Sequence, residues 1–503
     1  MAEYGIHVAV VVAYFLVVLG IGAAAFRQSE TTAEDYFLGG RTAKTVVLFM
    51  ALFGTNVTPF VLMGIPGLAY HHGVGVFGLN AAIVVLGIPL TFWLIGYPAW
   101  IAAKRTGAVT PAELYVRRFG VRWIGYLMFA VFFAYTVPYM VTAVAGVGIA
   151  ADTLSGGALG YAPATGGILV ITLLYTSLGG MRATMWTNVF QGAVFLGFTL
   201  LAFFLIGDRL GDQVGLGADG LRGLMTRIHA DNPRLFEVPR EGPFAPGEWA
   251  SWALAIALTV IAFPHMMVRI FAAKDVEALK NACRYYPLAM ILLWVPAVLF
   301  GVWATVEHPG LVGKESDAVF PMLIFDHLGP VLQGLALAGI LAAVMSTLDA
   351  QLLTLSSMLT RDVLPAGLDE RRQVQLGRVF LVLVAGLTWA VVLARPASIF
   401  KIAKLSFSGY VTLVPTLFLG LRWRRFTVAG AASSIVLGNA VLLLTWLEVV
   451  PKAAQLGLLP VAWGLLAAIA GAVAGSLLSP PTSPSVAEAV LGPVREATTT
   501  PSP

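Results

Sequence analysis

Residues 54 to 60 read GTNVTPF and residues 261 to 267 read IAFPHMM, each set inside an otherwise apolar run. Proline removes a backbone donor and clashes with the preceding turn, so Pro59 and Pro264 predict that both helices kink or unwind. Unwound backbone at membrane depth has to line a cavity or be buried in protein. The two breaks lie five apolar segments apart, and each opens a block of five. An odd repeat length inverts the second copy relative to the first, the architecture in which discontinuous helices meet at the bilayer midplane to bind solute and ion.

The composition fixes the solvent. The chain has 503 residues, 58% hydrophobic and 11% charged, with a mean hydropathy of +0.84; a soluble domain is about a quarter charged. Segments of about 20 apolar residues cross a bilayer. Thirteen are predicted, at 5–26, 44–70, 76–102, 123–151, 162–180, 185–206, 248–273, 281–306, 328–360, 374–394, 397–421, 427–448 and 456–478. The fold class is therefore an all-α membrane protein with about 13 transmembrane helices. They form a 5+5 inverted repeat with one N-terminal and two C-terminal helices added. Residues 1–478 make one transmembrane domain, with core repeats at about 44–206 and 248–421. Residues 207–247 form an extracytoplasmic loop with a short helix, and the Pro-, Ser- and Thr-rich 479–503 a disordered cytoplasmic tail. The first segment lacks a basic leader and an A-x-A site, so it reads as a retained span.

Orientation follows from Lys and Arg. With the N-terminus outside, the cytoplasmic loops hold the groups Lys104 to Arg122, Arg269 to Arg284, Arg361 to Arg378 and Arg422 to Arg425. The positive-inside bias thus predicts N-out, C-in, and the expected location is a bacterial cytoplasmic membrane. The net charge of +5 is spread over these loops, without the aromatic-interleaved basic patch of a nucleic-acid partner. A single cysteine, Cys283, excludes an intramolecular disulfide and a multi-cysteine metal site. No G-x-x-x-x-G-K-[ST] stretch is present, and the spans hold too few acids, histidines or serines at one depth for an enzyme. His71 and His72 fall at an outer loop and read as interfacial.

A third element lies at residues 340–353, ILAAVMSTLDAQLL. Adjacent Ser346 and Thr347 point about 100° apart on a helix and face a groove beside a neighbour. They are equally able to bond back to their own helix carbonyls. Together with carbonyls freed at Gly54 to Val57 they offer the oxygens that a small hard cation needs as it sheds water.

Several stretches together resemble the sodium:solute symporter family, and within it the proline and pantothenate branches. They are EDYFLGGR (34–41), VLMGIPGLAY (61–70), YTSLGGMRATMWTNVFQG (175–192), FPHMMVRIFAAKD (263–275), ILAAVMSTLDAQLL and VPTLFLGLRWRRFTVAGA (414–431). The resemblance implies a leucine-transporter-type fold and sodium-coupled uptake by alternating access, with sodium as the coupling ion and no other cofactor. It implies a sodium site from the carbonyls of Gly54, Val57 and Ala343 and the hydroxyls of Ser346 and Thr347. The solute would lie near Thr55, Asn56, Thr58, Phe60, Phe263 and His265, with Ser406, Phe407 and Tyr410 as a wall. The expected partners are a small solute, sodium and membrane lipid, and the expected state is a monomer.

Two positions depart from the family pattern: Asn56 stands where proline-type members carry aspartate, and Asn188 where many members carry one in a W-T-D-x-x-Q motif. Their neutrality favours anionic, neutral or carboxylate-bearing solutes over amino acids. Asp349, three residues after Ser346, then marks a second cation position with Asn188, the acid having moved from one helix to another. The alternative is a carboxylate in a hydrated cytoplasmic vestibule, paired with a basic loop residue or capping a neighbouring helix. Proton coupling and a transporter-like membrane sensor remain rival functions.

Overall fold

A computed structural model describes residues 2–27, 32–213, 220–238, 241–365, 367–395 and 399–499. The described residues are helical throughout, apart from loops and one isolated bridge between Ala43 and Ala273. The principal helices are α1 Ala2–Phe26, α2 Thr45–Asn56, α3 Ile65–His72, α4 Tyr97–Thr106, α5 Pro111–Phe119, α6 Trp123–Leu154, α7 Tyr161–Gln213 and α8 Pro246–Ala262. They continue as α9 Pro264–Phe271, α10 Val276–Glu307, α11 Pro330–Met358, α12 Glu370–Leu393, α13 Ile399–Val411, α14 Val428–Trp446, α15 Pro460–Leu477 and α16 Pro484–Thr499.

Among the described residues ten helices are long and apolar enough to cross a membrane, and two bent pairs raise the number to twelve. These correspond to all the predicted spans but the fifth, 162–180. That segment runs into the sixth as part of α7, which turns at Gly180 with φ 55° and ψ −157°. A Cβ there would meet the Tyr36 carbonyl at 2.6 Å, so both the conformation and the space require glycine.

Both predicted breaks are present. The helices on either side of 57–59 bend by 54°, and α8 and α9 bend by 48° about Phe263. Val57 (φ −87°, ψ 113°) and Phe263 (φ −64°, ψ 123°) are extended, as residues near a following proline tend to be. The helix α11, buried from Ala336 to Met358, lies against both breaks and against α1, α6 and α7.

Two sequence expectations are corrected. Arg269 does not sit in a cytoplasmic loop: it lies in α9, fully buried, because the helix resumes at Pro264 and continues past it. The segment 479–503, expected as a disordered tail, contains α16, which packs on α4 and α5. Its buried Ala487, Val490, Leu491 and Val494 recur at helical spacing, an amphipathic pattern that the Pro, Ser and Thr content masked.

Close approach holds the first break in place. A Cβ on Gly146 of α6 would overlap the Pro59 ring. Gly146→Leu is expected to cost about 1–3 kcal/mol through overpacking, read as a lower unfolding temperature of the purified protein. An unchanged temperature would show that the contact is dispensable.

Candidate functional site

The first break presents its carbonyls to α11. Ser346 Oγ lies 2.9 Å from the carbonyl oxygens of Gly54 and Ala343. Thr347 Oγ1 lies 3.0 Å from that of Thr55, and 3.2 Å from those of Val57 and Ala343. All of these residues are buried. Each hydroxyl has one proton to donate, yet together they face four carbonyl oxygens. The Gly54 carbonyl also takes the Val57 N–H at 3.2 Å and Ala343 lies within α11, which leaves the Thr55 and Val57 carbonyls to share the one Thr347 proton. This buried cage is short of donors, which suits a small hard cation. Gly54, Val57, Ala343, Ser346 and Thr347 are thus brought together as expected, with the Thr55 carbonyl added.

Asn188 and Asp349 also meet, in company the sequence reading missed. Arg269 Nη2 donates to Asp349 Oδ1 at 3.2 Å, and neither side chain reaches solvent. Tyr175 Oη donates to Asp349 Oδ2 at 3.1 Å. A guanidinium only donates, so the Asn188 amide is oriented with its oxygen toward Arg269. In that orientation Asn188 Oδ1 accepts from Arg269 Nη2 at 2.9 Å and from Thr55 Oγ1 at 3.1 Å. Its nitrogen faces Gln191 Oε1 at 3.0 Å, the Thr184 carbonyl at 2.9 Å and Asp349 Oδ2 at 3.3 Å. Asp349 therefore does not stand in a hydrated vestibule beside a loop.

The residues expected around the solute separate into groups. Phe60, Phe263, Phe407, Tyr410 and His265 form one aromatic cluster. Phe263 is 4.8 Å from Tyr410, 5.0 Å from His265 and 5.7 Å from Phe407, and Phe60 is 5.2 Å from Phe407, between ring centroids. Tyr139 of α6 completes it, 5.0 Å from Phe263. It was not foreseen, although the dipeptide Pro138-Tyr139 inside a span signalled it. Neither buried ring nitrogen of His265 has a partner. Among the other polar groups, Tyr410 Oη is 2.6 Å from Thr136 Oγ1 and Ser406 Oγ donates back to Ile402 at 3.4 Å, whereas Thr58 Oγ1 accepts the Phe60 N–H at 3.2 Å and bonds the Tyr139 hydroxyl, so it stays with the cluster. Asn56 lies beside Tyr286 on α10, and Thr55 belongs to the cage and to Asn188.

A separate cavity of about 580 Å³ opens at the end where α6 finishes and α7 and α13 begin, with Asp152, Lys314, Asp317 and Arg395 on its walls. None of the nine expected solute residues lines it; Phe400, stacked 5.7 Å from Phe60, continues the aromatic cluster toward this end. The opposite end is latched. Thr110 Oγ1 lies 2.9 and 2.8 Å from the two carboxylate oxygens of Asp362, and Arg361 Nη2 donates to Glu113 at 3.2 Å. Burial opposes the Glu113 charge, but Arg361, Arg117 and the Val109 N–H outweigh it and hold the carboxyl below its usual range. Among the described residues no group of three or more His, Cys, Asp or Glu is placed to hold a metal.

Two broken helices packed on a buried helix, with an acceptor-rich cage at one break and an aromatic cluster between them, define a multi-pass secondary transporter. The description "Sodium:solute symporter family" matches residues 36–438, and the chain belongs to that family. It is 28% identical over 455 residues to the sodium/proline symporter of Haemophilus influenzae, covering 87% of each chain. It is 29% identical over 448 residues to the sodium/pantothenate symporter of Escherichia coli, covering 85% of this chain and 88% of the relative. The solved outward-open, substrate-bound structure of a Na+-coupled sialic acid symporter matches the fold with a TM-score of 0.78 at 17% identity, over 95% of this chain and 99% of that one. Family members are transporters of solute and sodium, not enzymes.

The cavity wall makes a pH-dependent prediction. Asp317 Oδ2 accepts the Ile399 N–H at 3.1 Å, and burial pushes its carboxyl up to about 6, the N–H opposing the shift. The folded state thus binds this proton more tightly than the unfolded chain, so stability falls as pH rises from about 4 to 6. Asp317→Asn is expected to raise the unfolding temperature relative to wild type above pH 6 and to leave it equal below pH 4. An equal difference at both pH values would count against this.

Proposed function

We propose that this protein takes up a small organic solute bearing a carboxylate, a vitamin or a similar acid, driven by sodium and by alternating access. The observation that carries the reading is the cage between Ser346, Thr347 and the first break, whose acceptors outnumber its donors. A cation bound there would lock α11 to α2, which links ion binding to the arrangement of the two repeats. The solute would lie against the aromatic cluster. His265 supplies its unpartnered polar group, a donor suited to a carboxylate oxygen.

An amino group fits less well. Asn56 and Asn188 are neutral, and the oxygens of Asp349 are already engaged by Arg269 and Tyr175. Sodium is favoured over a proton for the same reason, since the cage contains hydroxyls and carbonyls and no titratable side chain. The family relatives, named for proline and for pantothenate, support sodium coupling and span both an amino acid and a carboxylate vitamin. We further propose an N-out, C-in orientation, which puts the latch at the cytoplasmic end and the cavity outside.

Purified protein screened by thermal shift against carboxylates, vitamins, sugars and amino acids should be stabilised by a carboxylate only when sodium is present. A ligand at 100 times its Kd adds about 2.7 kcal/mol. Stabilisation by the same compound without sodium would sink the coupling. Ser346→Ala and Thr347→Ala each remove one oxygen ligand and are each expected to weaken sodium binding about 10- to 100-fold, about 1.4 to 2.7 kcal/mol. His265→Phe should abolish the carboxylate response and leave sodium binding intact; a retained response would place the solute elsewhere.

A further inference from the structure

The Arg269 guanidinium occupies a position between two oxygens that would otherwise suit a cation. Its Nη2 lies 3.2 Å from Asp349 Oδ1 and 2.9 Å from Asn188 Oδ1. The other carboxylate oxygen is taken by the Tyr175 hydroxyl at 3.1 Å and faces the Asn188 nitrogen at 3.3 Å. The pair is wholly buried and is joined to the cage through Thr55, whose hydroxyl also donates to Asn188. We propose that Arg269 is a resident cation standing where a second coupling ion would bind, so that the protein binds one sodium per chain. The proposal rests on the reading of the Ser346–Thr347 cage as the sodium site.

Three physical points carry it. The carboxylate and the guanidinium sum to zero charge, so the site has no unpaired anion for an ion from water to neutralise. A second cation at Asp349 would meet the fixed charge of Arg269 at close range, where the dry interior screens repulsion poorly. Arginine does not lose its proton in a protein, so this cation cannot be discharged during a cycle. Asn188 fits the same logic. With a guanidinium beside it, an amide oxygen suffices as acceptor, and a second carboxylate is not needed.

The test is equilibrium binding of radioactive sodium to the purified full-length protein. Wild type and Arg269→Lys, which keeps the charge, are expected to bind one sodium per chain with a Hill slope near one. Arg269→Gln leaves Asp349 unpaired and is expected to bind two with a steeper slope, while Arg269→Gln combined with Asp349→Asn returns to one. Two sodium ions on wild type would overturn the proposal, as would a folded Arg269→Gln protein that still binds one. If Arg269→Gln does not fold, the wild-type count decides alone. Absence of sodium binding by wild type would overturn the cage reading itself, a different failure from a count of two.

Discussion

The carbonyls released at the first break are the constraint on which the core depends. Pro59 and the extended Val57 remove helical partners from the end of α2, and a polar group left unsatisfied in the membrane interior costs several kcal/mol. Gly54 keeps the Val57 N–H at 3.2 Å and Ala343 lies within α11, so the carbonyls left to side chains are those of Thr55 and Val57, which share the one Thr347 proton. The deficit explains why α11 is buried along most of its length: it has to reach the break from the centre of the molecule. It also explains Gly146, which lets α6 close over Pro59. The same shortage that threatens stability is what supports the proposed cation site.

Local signals carried most of the fold into the sequence. Hydropathy located the spans, and the prolines at 59 and 264 located the bends, because each acts on its own turn of helix. Depth and partnership are not local, and there the reading failed. Arg269 was assigned to a loop by its sign, whereas its partner Asp349 lies 80 residues away on a helix that only tertiary packing brings near. At the unwound segment, side-chain direction follows no period. Position groups Thr55, Asn56 and Thr58, yet Thr55 faces Asn188, Asn56 faces Tyr286, and Thr58 alone joins the aromatic cluster through Tyr139 and the Phe60 amide. Tyr139 and α16 were legible in principle, one from a proline beside it and the other from its apolar spacing.

The two ends of the molecule are closed by different means. At one, Thr110 bonds to Asp362, Arg361 pairs with Glu113, and Arg118 donates to the Gly420 carbonyl at 2.8 Å. At the other, the contacts on the cavity wall among the described residues are the Ile399 N–H to Asp317 and Arg395 over the Tyr161 ring, with stacked aromatic rings beyond them. Aromatic stacking is weakly directional and rearranges without breaking ion pairs, whereas the latch would have to give up several strong contacts at once. This asymmetry fits a state open to one side, in which release at the far side requires the ionic contacts to part.

A resident cation alters the energetics of accumulation. One charge crossing 100 mV yields about 2.3 kcal/mol, and each tenfold accumulation costs about 1.4 kcal/mol. One sodium with a neutral solute would therefore sustain roughly 50-fold accumulation from voltage alone. With a monovalent carboxylate the voltage contribution cancels, because sodium and solute move zero net charge together. Arg269 stays with the chain and cannot substitute for a second mobile ion in that sum. A carboxylate carried with one sodium would thus be drawn in by the sodium concentration gradient alone, about tenfold for a tenfold gradient. Such a cycle would give up steep accumulation in exchange for uptake that continues when the membrane potential collapses.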